Sequence, residues 1–352
     1  MDLRPDTMRQ GARVRWRSLH TLEVMADEPD LLFHYTNFGG LNGILHSRTV
    51  WATDSRYLND AHEMSYGTSE MSDLLVKIAE ELPELTGEDL SKYGTLRSPG
   101  KESPDHSDPM ALGPANRAVH AAAMTLAAIV DSSIPKFSKD WMLSNGYVTC
   151  FTENADSLGQ WRGYAGGDGF AIGFRRLALS ELTVQCWDYS NGNVDLTSDK
   201  WFNNPVPPPQ CVDYGDDRRD SALGRAGATL RHYILSHDPV VPFVNFSLAV
   251  FTIALRMCMT LKDDAFRDEA EWRLIAAQPY FAKLNFRGGG YGDGGVVPYV
   301  QLDYPVEAVE RIVIGPGNAP DLRERAVRQM LVAYGFGVDR VDVVHSRVPF
   351  RA

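Results

Sequence analysis

Leu31-Leu32-Phe33-His34-Tyr35-Thr36-Asn37-Phe38-Gly39-Gly40-Leu41-Asn42-Gly43-Ile44-Leu45 is the stretch on which the fold turns. Its first six residues are mostly large and apolar and contain neither Gly nor Pro, so they read as a strand. Thr36 or Asn37 can then cap a short helix in which Leu41, Ile44 and Leu45 form the apolar stripe. Thr49-Val50-Trp51-Ala52 follows as a second strand and runs into the polar loop Ser55 to Asp60. Strand, short helix and strand in this order open an α+β domain. The two-residue period of the first strand puts Leu31, Phe33 and Tyr35 on one side, expected to be core, and Leu32, His34 and Thr36 on a more polar side. There the His34 imidazole can donate to a ligand hydroxyl or, as a purely structural group, to a backbone carbonyl.

Further along, helices are expected at 61–81 and at 116–130, and strands at Gly146–Glu153 and Gly169–Phe174, with a short helix at Leu158–Tyr164 between them. A helix is expected over Pro242–Leu261 and a strand over Glu269–Ala276, and the region from Arg311 to Val344 reads as strand, turn, helix, strand. Its Ile314-Gly315-Pro316-Gly317 turn lacks the Lys-Ser/Thr of a phosphate loop, so a plain turn into a helix near Pro320 is expected. Three stretches are loop-like: 96–114, 203–220 and 287–295. They read as insertions in one domain spanning 31–352, preceded by an extension over 1–30.

The chain has 352 residues, 44% hydrophobic and 23% charged, with 35 Lys+Arg against 46 Asp+Glu and a net charge of −11. This composition excludes disordered and collagen-like classes, and the acidic balance argues against coating nucleic acid or anionic membrane through the overall field. The most apolar window, Phe243 to Leu261, contains Asn245, Ser247 and Arg256 and reads as a buried helix rather than a membrane span. The arginine-rich N-terminus has no apolar segment of a secretory signal, and the four cysteines lie far apart. Reduced thiols in a cytoplasm are the expectation.

The chemistry-bearing candidates are rows on strands and one helix. In Glu269-Ala270-Glu271-Trp272-Arg273-Leu274, alternation aims Glu269, Glu271 and Arg273 to one side and Ala270, Trp272 and Leu274 to the other. Such a row is a solvated ion-pair face, or in a cleft it holds a sugar hydroxyl and stabilises charge as a glycosidic bond breaks. Gln160, Trp161 and Tyr164 fall at helical spacing, either as core packing or as an aromatic platform for a flat ring, with Gly166 to Gly169 leaving room beside it.

Taken in order, Phe33-His34-Tyr35-Thr36, Leu58-Asn59-Asp60 with Glu63, Cys150-Phe151-Thr152-Glu153, Trp161 with Tyr164, Glu269-Ala270-Glu271-Trp272-Arg273 and the closing Ser346–Arg351 resemble an uncharacterised bacterial family, domain of unknown function 2971. The resemblance covers roughly Leu31 to Arg351. The opening strand with its His-Tyr-Thr run also looks like the start of the ADP-ribosyltransferase fold, including its DNA-modifying toxin branch. That likeness implies a core of small twisted sheets flanked by helices, enlarged by helical and loop insertions.

The same resemblance implies NAD as the substrate. His34 would hold the nicotinamide end or the ribose with Thr36 beside it, and Tyr164 or Trp161 would stack on the ring. Glu271 would be the catalytic carboxylate and Glu269 the upstream member of the pair. Arg273, Arg162 or Arg56 would meet the diphosphate, and Asn59 would lie near the dinucleotide. A macromolecular acceptor, nucleic acid or protein, or water would take the ADP-ribose. No metal is needed and no membrane is implied. Two other readings stay open: a nuclease in which Asn59, Asp60 and Glu63 hold a divalent ion, and a non-catalytic sensor or partner module of a bacterial defence system.

Overall fold

A computed structural model describes residues 28–58, 71–78, 146–187 without 167, 201–214, 253–277, 282–288 and 295–349 without 338, with a few positions between 224 and 230. The expected helix at 116–130, the insertion at 96–114, and Asn59, Asp60 and Glu63 lie outside the described residues. Leu31–Thr36 is strand β1. Asn37 caps helix α1, Phe38–Ser47, by accepting the Gly40 N–H, and Leu41, Ile44 and Leu45 are its buried stripe. Strand β2 is Thr49–Asp54. Residues 71–78 form helix α2. The central stretch comprises β3 (Gly146–Thr152), α3 (Leu158–Tyr164), β4 (Phe170–Arg175), the one-turn α4 (Arg176–Leu179) and β5 (Thr183–Trp187).

The expected loop at 203–220 is partly strand. Trp201–Pro205 is β6, and two-residue strands follow at Gln210–Cys211 (β7) and Asp213–Tyr214 (β8). The helix expected to reach Leu261 ends earlier: residues 253–258 are helical (α5), and Leu261–Lys262 is the short strand β9. Then come β10 (Glu271–Ala277), β11 (Asn285–Gly288), β12 (Val296–Asp303), β13 (Val309–Ile314), α6 (Pro320–Ala333) and β14 (Asp342–His345). No helix among the described residues is long and apolar enough to cross a membrane.

Among the described residues one twelve-stranded mixed sheet carries the fold, where several small sheets were expected; β8 and β9 form a separate parallel pair. β3 is its branch point. One edge of β3 pairs along its whole length with β10, from Glu271 opposite Thr152 to Ala277 opposite Gly146. The other edge is shared, with Phe33 of β1 opposite Thr152 at one end and Thr53 of β2 opposite Val148 at the other. β1 and β2 therefore part in front of Thr149 to Phe151, and side chains close the fork. Thr149 Oγ1 donates to the Trp51 carbonyl at 2.9 Å, and His34 Nδ1 donates to the Cys150 carbonyl at 2.9 Å.

The sheet is buried on both faces at this point, which corrects the expectation that only the Phe33 side of β1 is core. Leu32 joins the main core with Leu41, Leu45, Phe151 and Phe174, whereas Phe33 and Tyr35 join a second core with Trp161, Ala165 and Val313. Alternation hence carries His34 on the Leu32 side, where its ring meets Phe151 edge-on. The Gly315 turn is the plain turn expected, with Pro320 in the first turn of α6. Arg323 fills it, donating to the carbonyls of Gly315 (2.8 Å), Gly169 (3.2 Å) and Asp168.

Candidate functional site

The loop after β3 gathers most of the family-like motifs. Tyr35 donates its hydroxyl to the Asn154 carbonyl and accepts the Ser157 N–H, both at 2.9 Å. Asp156 accepts from Trp161 Nε1 (2.8 Å), Ser346 Oγ (2.5 Å) and the Arg347 N–H (2.6 Å), so one carboxylate ties α3 to the closing segment. Thr152 Oγ1 donates to the Glu269 carbonyl at 2.7 Å, and Trp272 Nε1 donates to Glu153 at 2.7 Å. These bonds fix β1, α3, β10 and the closing segment about a single loop.

Beside that loop stands a cluster of charge. β10 begins at Glu271, and two residues on, Arg273 shares its face. Arg273 grips Glu271 in a two-pronged bond, Nε to Oε1 and Nη2 to Oε2, each at 2.8 Å, and its Nη1 donates to the Met259 carbonyl at 2.7 Å. Lys262 Nζ donates to Glu271 Oε2 at 3.0 Å and to Glu269 Oε2 at 2.7 Å, and lies 4.6 Å from the centre of the Phe266 ring. The Tyr164 hydroxyl donates to Glu269 Oε1 at 3.2 Å. The Tyr214 hydroxyl accepts the Glu271 N–H at 2.8 Å. Two carboxylates thus face two cations, and the charge closes to zero.

Glu269 does not reach this cluster along a strand, as the alternation argument expected. It ends a 3-10 turn, Asp264–Glu269, and Ala270 takes a left-handed conformation (φ 43°) that swings the chain into β10. Glu271 is 5% exposed and Arg273 3%, whereas the side chain of Glu269 is 23% exposed and Tyr164 lies open at the rim. Burial by itself would raise the Glu271 pKa. The Arg273 guanidinium, the Lys262 ammonium and a hydrogen bond with Cys150 outweigh it and hold the carboxyl down to about 2. The Cys150 thiol is pushed up by burial and by Glu271, so it stays protonated and is no nucleophile. Burial lowers the His34 pKa, partly offset by the bond to the Cys150 carbonyl. That bond also fixes the tautomer: a carbonyl only accepts, so Nδ1 carries the proton.

Glu269, Glu271, Arg273 and Tyr164 are therefore brought together, and His34 is not: among the described residues it bonds to none of them, and it lies on the other side of the sheet. Trp161 is fully enclosed, stacked edge-on against Tyr35 at 4.6 Å, and has no face to offer a ligand. Thr36 packs over Gly40 at the start of α1. Gly169 serves close packing rather than ligand access, since an added Cβ would lie 2.3 Å from the Thr36 carbonyl oxygen. Arg273 is spent on Glu271, which removes it as a diphosphate ligand. Arg162 lies exposed on α3, and the Arg56 side chain is outside the described residues.

Lys262, Tyr214 and Asp156 were not foreseen from sequence. A signal for Lys262 existed: two carboxylates against one guanidinium leave a negative surplus that burial does not tolerate, and Lys262 is the nearest lysine upstream.

The profile of a family described as "Protein of unknown function (DUF2971)" matches residues 160–274, about a third of the chain, and supports that family over the stretch from Gln160 to Leu274. That stretch holds Tyr164, Lys262, Glu269, Glu271 and Arg273. No curated protein and no solved structure matches the chain.

Proposed function

We propose that the protein cleaves the nicotinamide–ribose bond of NAD and passes the ADP-ribose to an acceptor or to water, as a bacterial toxin or defence enzyme of the cytoplasm with an ADP-ribosyltransferase-like core. The observation that carries this reading is the asymmetry of the carboxylate pair. Glu271 is saturated by protein cations, while Glu269 sits at the rim between Lys262 and the half-exposed Tyr164. The carboxylate assigned to the substrate is accordingly Glu269, and Glu271 becomes a positioning residue that anchors Lys262 and Arg273.

In this mechanism the C1′–N bond breaks with its electron pair returning to the pyridine nitrogen, which releases neutral nicotinamide. Glu269 accepts the hydrogen bond of a ribose hydroxyl and opposes the positive charge that develops on the ring. Tyr164 offers the open aromatic face. Its phenol stays protonated because burial and then Glu269 raise its pKa. Water or an acceptor nucleophile attacks C1′ and gives up its proton to solvent. Arg162, on the helix of Tyr164, would meet the diphosphate.

A second reading has its own support. Both Glu271 oxygens and His34 Nδ1 are engaged by the protein itself, as in a network whose task is to hold the fold of a non-catalytic partner module. Nicotinamide release from NAD, measured for the wild type and for Glu269→Gln, separates the two: release that depends on Glu269 supports the enzyme, and a wild type that neither binds nor consumes NAD supports the module.

A further inference from the structure

Arg256 projects from α5, one turn before Met259, whose carbonyl Arg273 holds. Among the described residues its only hydrogen bond is a long one, Nη2 to the Pro208 carbonyl at 3.4 Å. Its Nε is buried, and among the described residues it has neither a hydrogen-bond acceptor nor a carboxylate partner. Two residues beyond Pro208, Gln210 Oε1 is also buried and unpartnered. β7 places Gln210 opposite Arg273, so both lie on the sheet face that α5 covers. A buried guanidinium N–H without an acceptor and a buried amide oxygen without a donor each cost stability, and Arg256 reaches the chain two residues from Gln210.

We propose that Arg256 and Gln210 form a receptor for a phosphate monoester carried on a sugar. The two orphaned atoms specify complementary groups. The Nε–H needs an oxyanion, and the Nε and Nη2 edge of a guanidinium takes one in a two-pronged bond. The Gln210 oxygen needs a hydroxyl donor, which a carboxylate anion lacks and a sugar phosphate supplies. If the amide is turned, its NH2 becomes a second donor to the same oxyanion. Burial draws the Arg256 pKa down to about 9, and an anion is what would restore it. The receptor does not rest on NAD cleavage, since the unpaired atoms call for a ligand whatever the reaction.

The test is thermal unfolding of the full chain at constant ionic strength in chloride, inorganic phosphate and ribose 5-phosphate. The expected result is a rise of several degrees in Tm with ribose 5-phosphate and a smaller rise with phosphate. Arg256→Met should lose both shifts while its Tm in chloride equals or exceeds that of the wild type. Arg256→Lys should keep part of the shift. A wild type indifferent to these anions, or a shift that survives Arg256→Met, would overturn the proposal. So would an Arg256→Met protein that is strongly destabilised or unfolded in chloride, because that marks a structural cation. Nicotinamide release plays no part in the readout, so the failure of NAD cleavage and the failure of this receptor are told apart.

Discussion

Arg273 closes on both oxygens of Glu271, its neighbour two residues back on the same strand, at 2.8 Å each, in a site where both side chains are buried. This bond decides how the acidic row behaves. A pair so placed contributes to the fold chiefly because breaking it leaves a buried charge uncompensated. Glu271→Gln would strand Arg273 and leave Lys262 to Glu269 alone, and roughly 3–5 kcal/mol of stability should be lost, read by urea unfolding. The double replacement Glu271→Leu with Arg273→Met leaves Lys262 with Glu269 and should cost less than the sum of the two single replacements. Equal or additive losses would contradict the coupling.

The same pair sets an acid limit. With the Glu271 pKa held to about 2 in the folded protein and near 4.5 in the unfolded chain, the unfolded chain binds the proton first. Its contribution is complete above pH of about 4.5 and is lost as pH falls toward about 2, on the order of 3 kcal/mol in all. Urea midpoints taken across that window should fall steeply for the wild type and more gently for Glu271→Gln.

His34 acts at a higher pH. Burial lowers its pKa in the folded state, so the unfolded imidazole takes up its proton first as pH drops below about 6.5. Stability from this residue is present above about 6.5 and declines below it. His34→Phe leaves the Cys150 carbonyl unpaired and should cost about 1–3 kcal/mol at neutral pH. It should also flatten the stability profile just below pH of about 6.5, as thermal unfolding at stepped pH will show.

Asp156 links two ends of the chain. Replacing it by Ala removes acceptors for Trp161 Nε1, Ser346 Oγ and the Arg347 N–H together, and a loss of about 2–4 kcal/mol is expected. Hydrogen exchange should quicken at 346–348 well before it does in β4. Uniform exchange across both would mean that the loop is not the tie.

Local signals carried much of the fold. β1 has no breaker and is closed by a capping Asn, and in α3 Gln160, Trp161 and Tyr164 fall at helical spacing, so the limits of both elements are legible. The second core was not legible, since alternation in β1 marks two faces and cannot say that α3 covers the one while α1 covers the other. Trp161 and Tyr164 show the same limit: helical spacing puts them near each other but does not tell the enclosed ring from the rim. In the acidic row, alternation is valid only from Glu271 onward, because the left-handed Ala270 breaks the strand. Glu269 arrives beside Glu271 through a shared cation, Lys262, set on a two-residue strand that carries no sequence period.

In the proposed reaction Glu269 rather than Glu271 meets the substrate, and nicotinamide release from NAD is the decisive measurement. Release by the wild type is expected, with a fall of 100-fold or more (on the order of 3 kcal/mol) in Glu269→Gln, a smaller loss of unfolding midpoint there than in Glu271→Gln, and dependence on the open ring in Tyr164→Ala. Wild-type protein that leaves NAD intact, or a Glu269→Gln variant that releases nicotinamide as fast as the wild type, would contradict it.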